Sequence, residues 1–160
     1  MTTLQRHRAF LALAAATVVL TACAGRQPRP QLRPPVYTGP AAVVKTAQSM
    51  LGVPYRLGGA DPRGFDCSGL VYYAYSQHGV TLPREVRRQW TIGLDVSRRS
   101  IQQGDLLFFA TTGKGPTHVT LAIDRTRFIH APSAKGVVRI ESLSSTYWSR
   151  RFLGARRVDR

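Results

Sequence analysis

The sequence predicts an α+β fold in one domain, with helices first and an antiparallel sheet after them. Helical composition and apolar spacing are concentrated between residues 41 and 91, whereas short β-rich runs separated by turn residues dominate from Asp105 onward. Size agrees: 160 residues, 43% of them hydrophobic and 19% charged, suffice for one core and leave little room for a second.

Taken in order, residues 41–51 have helical composition, and Gly52 followed by Val53-Pro54 supplies a stop. Residues 55–65 are dense in glycine and proline and read as loop. Asp66 is a good N-cap for a helix over 67–75, closed by His78-Gly79. Pro83 opens a short helix to about Thr91. Strands are expected over 106–110, 119–123, 127–131, 137–140 and 155–158. No internal repeat is present.

The first forty residues have a different texture. Arg6 and Arg8 precede twelve uncharged, mostly apolar residues, which reads as a secretory signal over 1–22, too short for a permanent membrane span. Leu20-Thr21-Ala22-Cys23 resembles the lipobox of bacterial lipoproteins. That resemblance implies a diacylglycerol on Cys23 and, because Ala24 rather than Asp follows, the periplasmic face of the outer membrane. Residues 23–40 hold Pro28, Pro30, Pro34, Pro35 and Pro40 with Arg26, Arg29 and Arg33, an extended linker reaching about 50 Å at the polyproline rise. The folded domain is expected over 41–160.

Charge is lopsided, 23 Lys and Arg against 8 Asp and Glu for a net +15, with 20 arginines. Such a surface suits anionic partners, anionic lipid among them, or is simply solvated. Two cysteines, Cys23 and Cys67, exclude a disulfide scaffold and an all-thiolate zinc cluster. If Cys23 is lipidated, Cys67 is left as a free thiol.

Cys67 is where the chemistry is expected. Behind an Asp66 N-cap it stands in the first helical turn, where unpaired N–H groups and the positive end of the helix dipole favour a thiolate. The same N–H groups could receive the oxyanion of an acyl-transfer intermediate. A plainer reading is a small buried residue on the face of Leu70, Val71 and Ala74. His78 lies eleven residues along the same helix, about 16 Å away at 1.5 Å per residue, and is placed to help cap that helix's C-terminus. His118 and His130 flank a turn at Asp124-Arg125-Thr126. With a three-residue loop, Ile123 faces Arg127 and Thr120 faces His130, so both imidazoles emerge on one sheet face as neighbours. A two-residue loop would send them to opposite faces. Cysteine and two histidines together supply a nucleophile, a base and a group orienting the base.

Six strings in order then become specific: Val53-Pro54-Tyr55-Arg56-Leu57-Gly58-Gly59, Phe65-Asp66-Cys67-Ser68-Gly69-Leu70-Val71, Leu82-Pro83-Arg84, Gly104-Asp105-Leu106-Leu107-Phe108-Phe109, Thr117-His118-Val119 and Phe128-Ile129-His130-Ala131. Together they resemble the NlpC family of bacterial cell-wall cysteine peptidases over about 41–158. The resemblance implies a papain-like α+β fold with N-terminal helices packed on an antiparallel sheet. It implies Cys67 as nucleophile, His118 as general base and His130 as the orienting member, with no cofactor or metal. It also implies Tyr55 near the thiolate, and Asp66 and Ser68 in recognition of the stem peptide, including its free amine. The implied reaction is hydrolysis of peptidoglycan stem peptides at D-glutamyl or diaminopimelyl amide bonds by a monomer. Leu57, where many members have Trp, and Thr120-Leu121, where Gly-Ile is common, bear on groove shape.

Three other readings compete. An inactive wall-binding lipoprotein would keep the fold but usually loses the cysteine or first histidine, and both are here. A Cys-His-His zinc site lacks the close ligand pairs of zinc sites and an obvious carboxylate. Nucleic-acid binding would suit the charge, but no base-stacking or groove-reading motif appears and an exported chain has little access to it.

Overall fold

The computed structural model describes residues 36–133 and 136–158. The signal segment, Cys23 and the linker up to residue 35 lie outside the described residues. The first helix, α1 (Pro40–Gln48), opens with proline at its first position, where the missing N–H costs nothing. It buries Val43, Val44 and Ala47, spaced to share one face. A two-strand hairpin follows, β1 (Ala60–Asp61) and β2 (Gly64–Phe65), within the stretch expected to be all loop.

Helix α2 (Cys67–Ser76) begins where the Asp66 cap places it. Asp66 Oδ1 accepts from Gly69 N–H at 2.7 Å and satisfies one of the helix's orphan donors. Gly69 is required there: a Cβ would stand 1.9 Å from the Gly59 carbonyl oxygen, so only glycine lets the helix press against that backbone. At the other end, His78 does not cap carbonyls with its ring. The Thr38 hydroxyl lies 2.9 Å from its Nδ1 and the Thr46 hydroxyl 2.9 Å from its Nε2, tying the end of α2 to α1. The expected helix from Pro83 is shorter, α3 (Val86–Gln89). Strand β3 (Leu94–Val96) was not expected, and a 3₁₀ turn spans Arg98–Ser100.

The remaining strands are β4 (Leu106–Phe109), β5 (His118–Ala122), β6 (Arg127–His130), β7 (Arg139–Ser142) and β8 (Phe152–Arg157), with a short helix α4 (Thr146–Ser149) before the last. Two expected positions shift: the strand over 137–140 runs two residues later as β7, and the final strand starts earlier, at Phe152. The sheet order is β3-β8-β4-β5-β6-β7, antiparallel throughout. It buries both faces. Leu106, Phe108, Val119, Leu121 and Ile129 pack with α1 and α2. Leu107, Phe109, Ala122, Phe128 and Ala155 face the other way onto Ile101, Leu143 and Trp148. Full burial of both faces explains why Leu106–Phe109 is a continuous apolar run and not an alternation. Tyr75 fastens helix to sheet, donating its buried hydroxyl to the Gly104 carbonyl at 2.6 Å.

The β5–β6 hairpin has the three-residue loop. Leu121 pairs Ile129 and Ala122 pairs Phe128, and Ile123 N–H donates to Arg127 O at 2.9 Å. Asp124 Oδ1 holds the turn by accepting from Thr126 N–H and Arg127 N–H, each at 2.8 Å. On β6–β7, Phe128 pairs Glu141 and His130 pairs Arg139. Cross-strand partners share a face, so His118, His130, Arg139 and Glu141 all stand on the side away from α1 and α2.

Candidate active site

Cys67 is a free, half-buried cysteine at the first position of α2. Backbone N–H groups of Val119, Ser68 and Cys67 itself act on its sulfur and favour the charged form. Val119 directly follows His118, so the helix start and the beginning of β5 meet at the thiol. Burial outweighs those N–H groups and pushes the Cys67 thiol up, and the Asp66 carboxylate adds to the rise. The expectation of a resting thiolate is therefore corrected: helix-start placement helps, but a buried sulfur beside a carboxylate stays protonated until a base acts.

The two histidines meet as the register requires. His118 Nε2 and His130 Nδ1 are 2.9 Å apart, with the rings nearly perpendicular at 86°. His118 stacks on Trp148 at 5.5 Å between ring centres, and Phe109 and Phe128 pack against the pair. His130 is fully buried and His118 nearly so. Burial drives both pKa values down, His118 to about 3 with His130 adding to the fall, and His130 to about 4 against the opposing pull of Glu141. Both rings are neutral near pH 7, the state a proton acceptor needs.

A carboxylate stands behind them, which the sequence did not reveal. Glu141 Oε1 lies 3.4 Å from His130 Nε2, an ion-pair distance rather than a tight hydrogen bond. Arg139 Nε donates to the same oxygen at 2.5 Å, and Trp148 Nε1–H donates to Oε2. Together these donors and His130 hold the Glu141 carboxyl below its ordinary range despite partial burial. Two tautomer pairs satisfy the 2.9 Å contact; the one with the His130 proton on Nε2, toward Glu141, leaves His130 Nδ1 to accept from His118 Nε2–H and leaves the lone pair of His118 on Nδ1. Among the described residues, the link from β5 to the thiol is the Val119 N–H.

On the helix side, Tyr55 is within electrostatic reach of both Cys67 and Asp66, and burial raises its phenol pKa. Asp66 and Ser68 are heavily engaged. Arg84 donates to Asp66 Oδ1 at 3.0 Å, to Asp66 Oδ2 at 2.8 Å and to Ser68 Oγ at 2.9 Å, while Gly58 N–H reaches Asp66 Oδ2 at 3.0 Å. Arg84 also donates to the Gly59 carbonyl at 3.1 Å. Asp66 thus fixes the helix start and locks the loop before it. Among the described residues, no three His, Cys, Asp or Glu side chains are grouped to hold a metal ion.

The helix-start cysteine and the sheet-borne histidine pair both fall within residues 52–157, which the NlpC/P60 family signature covers. The chain belongs to the NlpC/P60 family. A chain from Bacillus cereus, itself an NlpC/P60 family protein, superposes with a TM-score of 0.71 at 36% identity, covering 76% of this chain and 40% of that one. The probable endopeptidase NlpC of Escherichia coli is 42% identical over 113 residues, 69% of this chain and 73% of the relative. The murein DD-endopeptidase MepH of Escherichia coli is also 42% identical over 113 residues, 68% of this chain but only 42% of the relative. This chain thus spans less than half the length of the Bacillus cereus protein and of MepH. The α+β, papain-like architecture of this NlpC/P60 chain, helices against an antiparallel sheet, is the one its sequence predicted.

Glu141 and Trp148 are the site residues that sequence reasoning missed. The signal that could have found Glu141 was the period-two pattern of β7 continued to Ser142, which puts Glu141 on the histidine face. Trp148 had a local marker in Ser145, whose Oγ accepts from Trp148 N–H and starts α4.

Proposed function

We propose that this NlpC/P60 chain is a peptidoglycan endopeptidase, hydrolysing amide bonds of stem peptides at D-glutamyl or diaminopimelyl residues through an acyl-enzyme on Cys67. One observation carries the reading: His118 and His130 are 2.9 Å apart in front of Glu141, on the strand whose Val119 N–H reaches the Cys67 sulfur, which supports His118 Nδ1 as the base. The family membership and the activity named for MepH support the substrate class.

His118 Nδ1 takes the thiol proton as the sulfur attacks the scissile carbonyl, and His130 and Glu141 steady the imidazolium that forms. The oxyanion draws on the N–H groups at the start of α2. Collapse breaks the C–N bond, and the imidazolium returns its proton to the departing amine. Water, deprotonated by the same ring, then releases the acyl half and restores the thiol. Tyr55, Asp66 and Ser68 are assigned to recognition of the acyl half, where a substrate amine would share the Asp66 carboxylate with Arg84. Mass spectrometry of fragments from a defined muropeptide digest tests this: new ends at a single type of stem-peptide amide are expected, and intact muropeptide would sink the reading.

We further propose that residues 1–22 are removed, that Cys23 carries the lipid, and that 23–40 tether a monomeric enzyme on the periplasmic face of the outer membrane. The basic n-region, the short apolar run and Cys23 directly after Ala22 support this. Cys23→Ser should move the protein from the membrane to the soluble fraction; unchanged fractionation would contradict lipid anchoring.

A further inference from the structure

Thiol-mediated amide hydrolysis divides the substrate in two. The acyl half stays on Cys67, and the amine half leaves with a proton handed over by His118. The amine half must therefore lie against the histidine wall. A groove of about 340 Å³ opens on that wall, lined by His118, Arg139, Glu141, Tyr147 and Trp148, and Cys67 is not part of its lining.

Arg139 gives the groove its chemistry. Its Nε is committed to Glu141 at 2.5 Å, which orients the guanidinium plane. Its two terminal nitrogens have no partner among the described residues, and half of the side chain is exposed, 51%. A guanidinium tied along one edge presents its free edge in fixed geometry, suited to a carboxylate and poorly suited to an uncharged amide. A second cation lies close: the Arg151 guanidinium sits 3.9 Å over the ring of Tyr147. The amine half of a cleaved stem peptide is an amino-acid residue that can carry a free carboxylate or its carboxamide.

We propose that this groove is the amine-side subsite and that Arg139 receives the free carboxylate of the leaving residue, so that acid forms of the substrate are preferred over carboxamide forms. The proposal rests on the peptidase reading above and adds a specificity determinant to it.

The test compares kcat/KM for two stem-peptide substrates identical except for a free carboxylate or a carboxamide on the leaving residue. The wild-type chain should favour the acid by about tenfold, the scale of one partly exposed charge-assisted contact. In Arg139→Ala that ratio should fall to about one, and Arg139→Lys should retain part of it. Because Arg139 also holds Glu141 behind His130, Arg139→Ala will slow both substrates, and the ratio cancels that shared loss. A wild-type ratio of one, or a ratio unchanged in Arg139→Ala, overturns the subsite while leaving the peptidase reading standing. Failure of the wild type to cleave either substrate overturns the peptidase reading and the subsite with it.

Discussion

Cys67→Ala should eliminate muropeptide cleavage while leaving the fold in place. The methyl group of alanine keeps the helix start and the Asp66 cap, and loses the sulfur together with its hydrogen bond from Val119 N–H. No other cysteine is available, since Cys67 is the lone cysteine of the expected mature domain. Without a nucleophile, the remaining histidine pair and N–H groups can polarise a carbonyl but cannot form the acyl intermediate. Near-wild-type thermal unfolding alongside activity at background is the expected pair of results. Residual turnover at a tenth of wild type would mean that water, not sulfur, attacks.

His118→Ala should cost nearly as much, about 10²–10⁴-fold in kcat, the usual contribution of a positioned general base. His130→Ala should cost less and Glu141→Ala less again, because each acts one step further from the sulfur. The order of these losses is the signature of a chain of contacts, from His118 through His130 to Glu141. The pH behaviour follows from the same burial. Folded pKa values of about 3 and 4 lie below the ordinary histidine value of 6.5, so the unfolded chain binds more protons between those limits. Stability contributed by the neutral rings is therefore full above about 6.5 and is lost as pH falls toward 3. Activity should keep its base neutral through mild acid, and its acid limb should lie below pH 6.5, which a pH profile of kcat/KM on the defined substrate checks.

Much of this site is local in sequence. Asp66 announces the helix start one residue before the chemistry, and the Asp124-Arg125-Thr126 loop sets the register that joins His118 to His130. Both features need only neighbours along the chain or one hairpin turn. What was hidden depends on distant partners. Strands β1 and β2 are two residues each and have no apolar period to read. Strand β3 exists because β8 lies beside it, sixty residues on. Glu141 became visible only once β7 paired with β6, since a strand read as ending at Ile140 leaves it in a turn. The thiol pKa was misjudged for a related reason: the helix start is local, but the burial that raises it is made by the whole fold.

The central claim is that Cys67 becomes covalently acylated during turnover. Rapid acid quenching of the wild-type chain with a defined muropeptide, followed by mass spectrometry of the Cys67 peptide, reads this directly. The account predicts a transient mass increment equal to the acyl half of the cleaved bond, present during turnover and gone at completion. Products accumulating at full rate in Cys67→Ala, where no such adduct can form, would contradict it.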